Sequence, residues 1–356
     1  MDSLTFNSKT QIAVTAIISG IVTATAVLSF QRLQAQESSE PKQELNEGAP
    51  PKPPVSLDHL STIPHADKED ARNALLAQRA LSGSFDDELI LEQLARNRVF
   101  LTPGGLDKLR SSFVVIVGCG GVGSHCAAAL ARSGVGRLRL VDFDQVTLSS
   151  LNRHAVATLA DVGLSKVQCL RRRLVAITPW VGFDLCLEKF DGRSAGRLLG
   201  AWEDGQKPDF VVDAIDNIDT KVELLKYCHD HQLPVISSMG AGCKSDPTRI
   251  VVGDIGTSTD DGLSRATRRR LKLKGVTSGI PVVYSTEQTG EGKATLLPLP
   301  EEEFKKGKVG DLGVLPDFRV RILPVLGTMP AVFGYTVANH VICSVSGETP
   351  DVHPTG

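Results

Sequence analysis

Residues 114–144 read VVIVGCGGVGSHCAAALARSGVGRLRLVDFD. A β-branched apolar run leads into a glycine cluster, then an alanine-rich stretch, then a second apolar run that ends on acids. That order predicts strand, tight turn, helix, strand. The glycines fall as Gly118-x-Gly120-Gly121-x-Gly123. This spacing fits the phosphate-binding turn of a dinucleotide-type fold, in which backbone approaches phosphate and the next helix points its positive end there. Asp142 lies 19 residues beyond Gly123, at the end of the second strand. An acid in that place suits ribose hydroxyls. To this point NAD and ATP are served equally.

Working outward, strands are expected at 113–118, 137–142, 183–187, 210–215 and 234–238. Helices are expected at 123–133, 165–177, 194–203 and 219–231. Short links between alternating strands and helices imply an α/β domain with a doubly wound, mostly parallel sheet and a Rossmann-like ATP-binding core. Further on, DPTRIVVGDI and PVVYSTE read as strands and SRATRRRLKLKG as a basic helix. Residues 288–320 read as a polar, Gly-rich mobile loop, and GTMPAVFGYTVANHVICSV as a buried final helix broken near Pro330. Asn339 and His340 argue against a membrane span there. Upstream, DKEDARNALLAQRALSG and FDDELILEQLARNRVF carry apolar residues at helical spacing, so two helices are expected.

The chain has 356 residues, 41% hydrophobic and 22% charged, enough for one large α/β core. A formal net charge of −2 argues against bulk electrostatic binding of nucleic acid, without excluding a local basic patch. The seven cysteines form no C-x-x-C pair, which argues against a zinc ribbon and reads as reduced thiols. Residues 12–30 hold no charged side chain; as a helix they rise about 28 Å, close to the hydrocarbon thickness. The expected organisation is a single N-terminal transmembrane helix within a membrane anchor at 1–33, a disordered Pro-rich tether at 34–56, and a helical segment at 57–112. An adenylating α/β domain at 113–346 and a tail at 347–356 complete it. The catalytic domain is placed in the cytosol.

The segment after Asp142 separates the two nucleotides. It brings Asn152, Arg153 and Lys166, more cation than a dehydrogenase needs but suited to a triphosphate. Asp213 and Asp216 end a strand on the glycine-turn side of the sheet, where an acid can hold Mg²⁺. Asp216 could instead cap the following helix, as could Asp219.

The set GxGGxG, DFDxVxxSxLNR, SK and DAIDN resembles the ThiF/MoeB/HesA superfamily, the ubiquitin-activating-enzyme-like adenylating enzymes, over about residues 90–345. Within it, VGLSKV, VVDAIDNIDTK, SSMGAGCKSDPTRIVVGDI and VVYSTE are most similar to the tRNA threonylcarbamoyladenosine dehydratases. The membrane segment ahead of the domain resembles fungal members associated with the mitochondrial outer membrane. The resemblance implies that Gly118, Gly120, Gly121 and Gly123 cradle phosphate, that Asp142 holds the ribose, and that Asp144 shares that acidic corner. It implies that Asn152, Arg153 and Lys166 contact the triphosphate, and that Asp216 positions Mg²⁺ and helps at the α-phosphate. It further implies a homodimer in which Arg96, with Arg98 as the alternative match, enters the partner's site. Arg153, Lys166, Asp216 and Arg96 are the implied catalytic set. The implied reaction adenylates the threonyl carboxylate of the modified adenosine at position 37 of tRNA and then closes a ring.

Two other functions stand beside this one: activation of a ubiquitin-like or sulfur-carrier protein, and a non-catalytic membrane scaffold. A nicotinamide oxidoreductase shares only the glycine turn. Bacterial dehydratases lead to expect a cysteine before the VVYSTE-like strand; here GVTSGIPVVYSTE has none, which argues against a thioester step. Cys243 is the thiol nearest the expected site. Arg265, Arg268, Arg269, Arg270, Lys272 and Lys274 are the expected tRNA-contacting cations, with a solvated helix face or a lipid-facing patch as alternatives.

Overall fold

Strands form where β-branched residues run unbroken, because a parallel sheet covered on both faces buries every side chain. FVVIV (β1, Phe113–Val117) is buried at all five positions. The computed structural model describes residues 68–83, 85–288, 297–298, 321–322 and 324–347. After β1 come α4 (Gly121–Ser133), β2 (Arg137–Val141), α5 (Lys166–Val175), β3 (Gly182–Cys186), α6 (Ala195–Leu198) and β4 (Phe210–Asp213). Then follow α7 (Ile218–Asp230), β5 (Val235–Ser238), β6 (Ile250–Asp254), α8 (Gly262–Leu273), β7 (Pro281–Ser285) and α9 (Thr328–Ser346). Ahead of β1 lie α1 (Lys68–Leu81), α2 (Asp87–Gln93) and α3 (Ala95–Ser111).

The seven strands are ordered β3-β2-β1-β4-β5-β7-β6. All neighbours pair in parallel except β6, which runs antiparallel to β7. One apolar cluster joins α4, α5 and α9 to one face of the sheet; the other joins α6, α7 and α8 to the opposite face. The order reverses between β1 and β4, and ligands bind at such a switch point beyond the carboxyl ends. Register aligns those ends: Val117 lies opposite both Val141 and Asp213. Gly118, Asp142 and Ala214 therefore leave the sheet at one level.

Four expectations change. The helix expected over 85–100 divides at Leu94 and continues to Ser111 with a kink at Thr102 (φ 64°, ψ 160°), because the residue before Pro103 is excluded from helical geometry. The helix expected at 194–203 shrinks to Ala195–Leu198, ended by a turn in which Trp202 N–H meets Gln206 O at 2.7 Å and Gly205 takes φ +90°. The last helix is unbroken: Pro330 is its third residue, where a backbone N–H has no intrahelical acceptor to lose. Within the stretch expected as a loop, Leu297–Pro298 (β8) pairs antiparallel with Arg321–Ile322 (β9), just beyond its end. The anchor, the tether and all of the expected tail beyond Gly347 lie outside the described residues, as does most of 288–320. Among the described residues, no helix is long and apolar enough to cross a membrane.

Candidate functional site

The glycine turn divides by role. Gly118 sits at φ +92°, and a Cβ there would lie 2.7 Å from Ala214 O. A Cβ at Gly123 would lie 1.8 Å from Gly118 O, so helix and strand meet only without one. Gly121 is covered by Pro330 and by the Arg153 stem, at 2.8 and 3.2 Å from its Cβ direction. Gly120 alone of the four has open space within 4 Å. The open position of the turn is thus Gly120, ahead of α4, and the other three glycines are closed in by their neighbours.

Asp142 is buried and supports that turn. Its carboxylate accepts the Cys119 N–H at 2.6 Å and the Asp144 N–H at 2.8 Å. Burial pushes its pKa up, and the neighbouring Lys166 charge offsets this in part. Lys166 opens α5, whose N-cap Ser165 accepts the Gln168 N–H. Its ammonium contacts Asp144 Oδ2 at 2.6 Å and its backbone N–H donates to Asp144 O at 3.0 Å. Arg153 Nη1 donates to Ser149 O at 2.6 Å and to Asn152 Oδ1 at 2.9 Å.

Asp216 is exposed just beyond β4 and shares no hydrogen bond or ion pair with another described residue. Neither Asp216 nor Asp219 caps α7. Asn217 does, accepting the Thr220 N–H at 3.1 Å. Asp219 pairs instead with Arg270. Among the described residues, no three His, Cys, Asp or Glu side chains are grouped to hold a metal ion. One free carboxylate fits a cation that phosphate oxygens and water mainly hold, which is how Mg²⁺ accompanies nucleotides.

Three features went unread in the sequence. Lys221 is one: it pairs with Asp213 at 2.6 Å, both fully buried, so Asp213, expected with Asp216 as an acid able to hold Mg²⁺, is committed to the lysine instead. The signal was available: a lysine beside Val222, Leu224 and Leu225 of a core helix needs a buried acid. His154 is buried, and its Nδ1 accepts the Val156 and Ala157 N–H groups at 3.4 and 3.2 Å. Burial, with Lys166 next, pushes its pKa down to about 4. Residues 324–327, from the far end of the chain, touch the Asn152–Arg153 loop.

The basic helix α8 is less basic toward solvent than its sequence. Arg268 is half-buried and donates to Ser258 O and Oγ; Arg270 is held by Asp219. Arg265, Arg269, Lys272 and Lys274 are exposed. Arg96 and Arg98 are exposed on α3 and share no hydrogen bond or ion pair with the nucleotide group among the described residues. Beside them Val99 and Phe100 are 87% and 76% exposed. Cys243 is half-buried at φ 57°. Cys119 and Cys126 are buried thiols whose pKa values desolvation pushes up.

The chain is 51% identical over 263 residues to tRNA threonylcarbamoyladenosine dehydratase 2 of Saccharomyces cerevisiae, covering 74% of this chain and 58% of that protein. It is 39% identical over 263 residues to dehydratase 1 of the same yeast, covering 74% and 60%. The chain thus spans about three fifths of these two relatives. Its fold matches the crystal structure of the Escherichia coli tRNA N6-threonylcarbamoyladenosine dehydratase in complex with ATP, with a TM-score of 0.61 at 25% identity over 74% of this chain and 97% of that one. The ThiF family model matches residues 93–355, and the chain belongs to the ThiF family.

Proposed function

We propose that the protein is an ATP-dependent tRNA threonylcarbamoyladenosine dehydratase. One observation carries the reading. Open Gly120, the Lys166–Asp144 pair, Arg153 and unpartnered Asp216 converge on the switch point of a sheet whose relatives carry that name. The threonyl carboxylate attacks the ATP α-phosphate and pyrophosphate leaves, giving an acyl-adenylate. A nitrogen or oxygen of the same modification then attacks the acyl carbon, AMP leaves, and the net change is loss of one water. No side-chain nucleophile is needed, because the second attack is intramolecular. Arg153 and Lys166 neutralise charge building on the phosphates, and the Gly120 backbone and Asp142 orient the nucleotide. Asp216 would hold Mg²⁺ together with phosphate oxygens, and the ion would supply charge neutralisation at the leaving pyrophosphate.

Three finer points belong to the same proposal. The chain forms a homodimer in which Arg96, or Arg98, completes the second copy's site; exposed Val99 and Phe100 beside them support an interface. The uncharged stretch at 12–30 anchors the chain, at the mitochondrial outer membrane, with the catalytic domain in the cytosol. The exposed α8 cations hold tRNA phosphate. Arg265, Arg269 and Lys272 stand at i, i+4 and i+7, one face of the helix. Arg269→Ala should weaken tRNA binding and flatten the slope of log Kd against log salt by about 0.7–0.9, one phosphate contact. Arg268→Ala should lower Tm and leave that slope unchanged.

The full chain, given ATP, Mg²⁺ and tRNA carrying threonylcarbamoyladenosine, tests the reaction. The expected product is a nucleoside lighter by one water, matched mole for mole by AMP. ATP–pyrophosphate exchange without change in the tRNA would point to a carrier protein as substrate. Neither signal would leave the scaffold reading.

A further inference from the structure

The loop that presents Arg153 is built partly by residues far away in the chain. Asn152 Nδ2 donates to Val325 O at 3.3 Å. Gly327 lies against the same loop so closely that a Cβ there would meet Asn152 O at 2.1 Å and Asn152 C at 3.2 Å. One helical turn later, Pro330 closes over Gly121, and the Arg153 stem fills the remaining side of that glycine. Arg153 is therefore wedged between the glycine turn and the entry of α9. The other end of this short segment is held as well: the Cys243 N–H, in the loop after β5, donates to Pro324 O at 2.9 Å.

We propose that residues 324–327 act as a strap that positions Arg153 for the outer phosphates of ATP, with Gly327 as the positioning residue. The inference rests on the ATP-dependent reading above and adds a determinant of nucleotide choice. The Gly120 backbone and Asp142 serve the ribose and the phosphate next to it, which ATP and AMP share. The cations serve the charge that only ATP carries. A side chain at Gly327 pushes the Asn152 carbonyl and carries Arg153 with it, while Gly120 and Asp142 stay in place. The strap thus contributes to holding ATP more tightly than AMP, and it acts through Arg153 without touching the nucleotide.

Calorimetric titration of the full chain with ATP and with AMP, each with Mg²⁺, tests this without tRNA. Gly327→Ala is expected to weaken ATP binding by about 10-fold, the worth of one misplaced charged contact, with AMP affinity within about 2-fold of wild type. Equal weakening of both nucleotides would reduce the strap to a folding element and overturn the proposal, as would an unchanged ATP affinity. Should Gly327→Ala fail to fold, Pro330→Gly removes the Cβ that lies over Gly121 and loosens the other side of the Arg153 wedge, with an expected narrowing of the ATP preference of about 3-fold; no narrowing overturns the proposal. A wild-type chain that binds neither nucleotide would instead sink the ATP-dependent reading itself.

Discussion

Lys166→Ala is expected to slow ATP-dependent pyrophosphate release by about 10²–10³-fold, the loss seen when one preorganised donor is removed from developing charge. The structure explains why the loss should fall on rate more than on fold. The Lys166 side chain is 10% exposed and Asp144, its partner at 2.6 Å, is 26% exposed. The abandoned carboxylate can therefore reach water, and the change in Tm should stay within about 4 °C. A second effect separates charge from packing. Burial already pushes the Asp142 carboxyl up, and the Lys166 charge is the largest of the effects that offset it, ahead of the Asp144 and Cys119 N–H groups. Without that charge the Asp142 pKa rises further, and ATP binding should weaken at a higher pH on its acid limb than in wild type. Asp144→Asn is the control. It keeps the cation while removing its resting partner, so its rate should fall far less. Equal losses in both variants would mean that Lys166 acts through Asp144 and not on phosphate.

The centre of the sheet was legible because β1 (FVVIV) and β4 (FVVD) are β-branched apolar runs buried at every position. The limits of the reading are as physical as its reach. Arg268 and Arg270 looked like surface charge because periodicity places them on the helix without saying what packs against it. Ser258, ten residues upstream, draws Arg268 inward, and Asp219, on α7, pairs with Arg270 at the surface. Asp216 and Asp219 both looked able to cap α7, yet Asn217 supplies the acceptor at 3.1 Å and frees Asp216 for the crevice. Pro330 signalled a break because a proline inside a helical pattern usually is one; its place in the first turn depends on where Gly327 starts the helix. The glycine motif was found as a unit, while the separation of open Gly120 from the closed glycines needs the neighbours Ala214, Arg153 and Pro330 in space. Glycine spacing could announce the turn, but not the contacts of Val325 and Gly327 with the Asn152–Arg153 loop.

Lys221→Met should cost the fold about 3–5 kcal/mol, the penalty for leaving a buried charge without its partner. For a domain of this size that is a fall in Tm of roughly 6–20 °C. Both members of the pair are 0% exposed. Once Lys221 is gone, Asp213 keeps only the Ser237 hydroxyl at 2.5 Å and the Ile215 N–H at 3.1 Å, neither of which cancels a charge. Replacing both ions is different in kind, since a buried pair exchanged for apolar side chains is often neutral or stabilising. Asp213→Leu with Lys221→Met should therefore regain most of the lost stability, and the cycle should show a coupling of several kcal/mol. Activity then distinguishes two reasons for keeping ions in the core. Asp213 Oδ1 holds the N–H one residue before Asp216, and Lys221 Nζ donates to Ser238 O at 3.0 Å, two residues before Gly240. The pair thus fixes the exits of β4 and β5, from which Asp216 and the Cys243 loop follow. A double variant that regains its Tm but stays slow, with ATP affinity intact, would show that the ions are retained for alignment of those exits. A double variant that regains both would confine the pair to holding the sheet together.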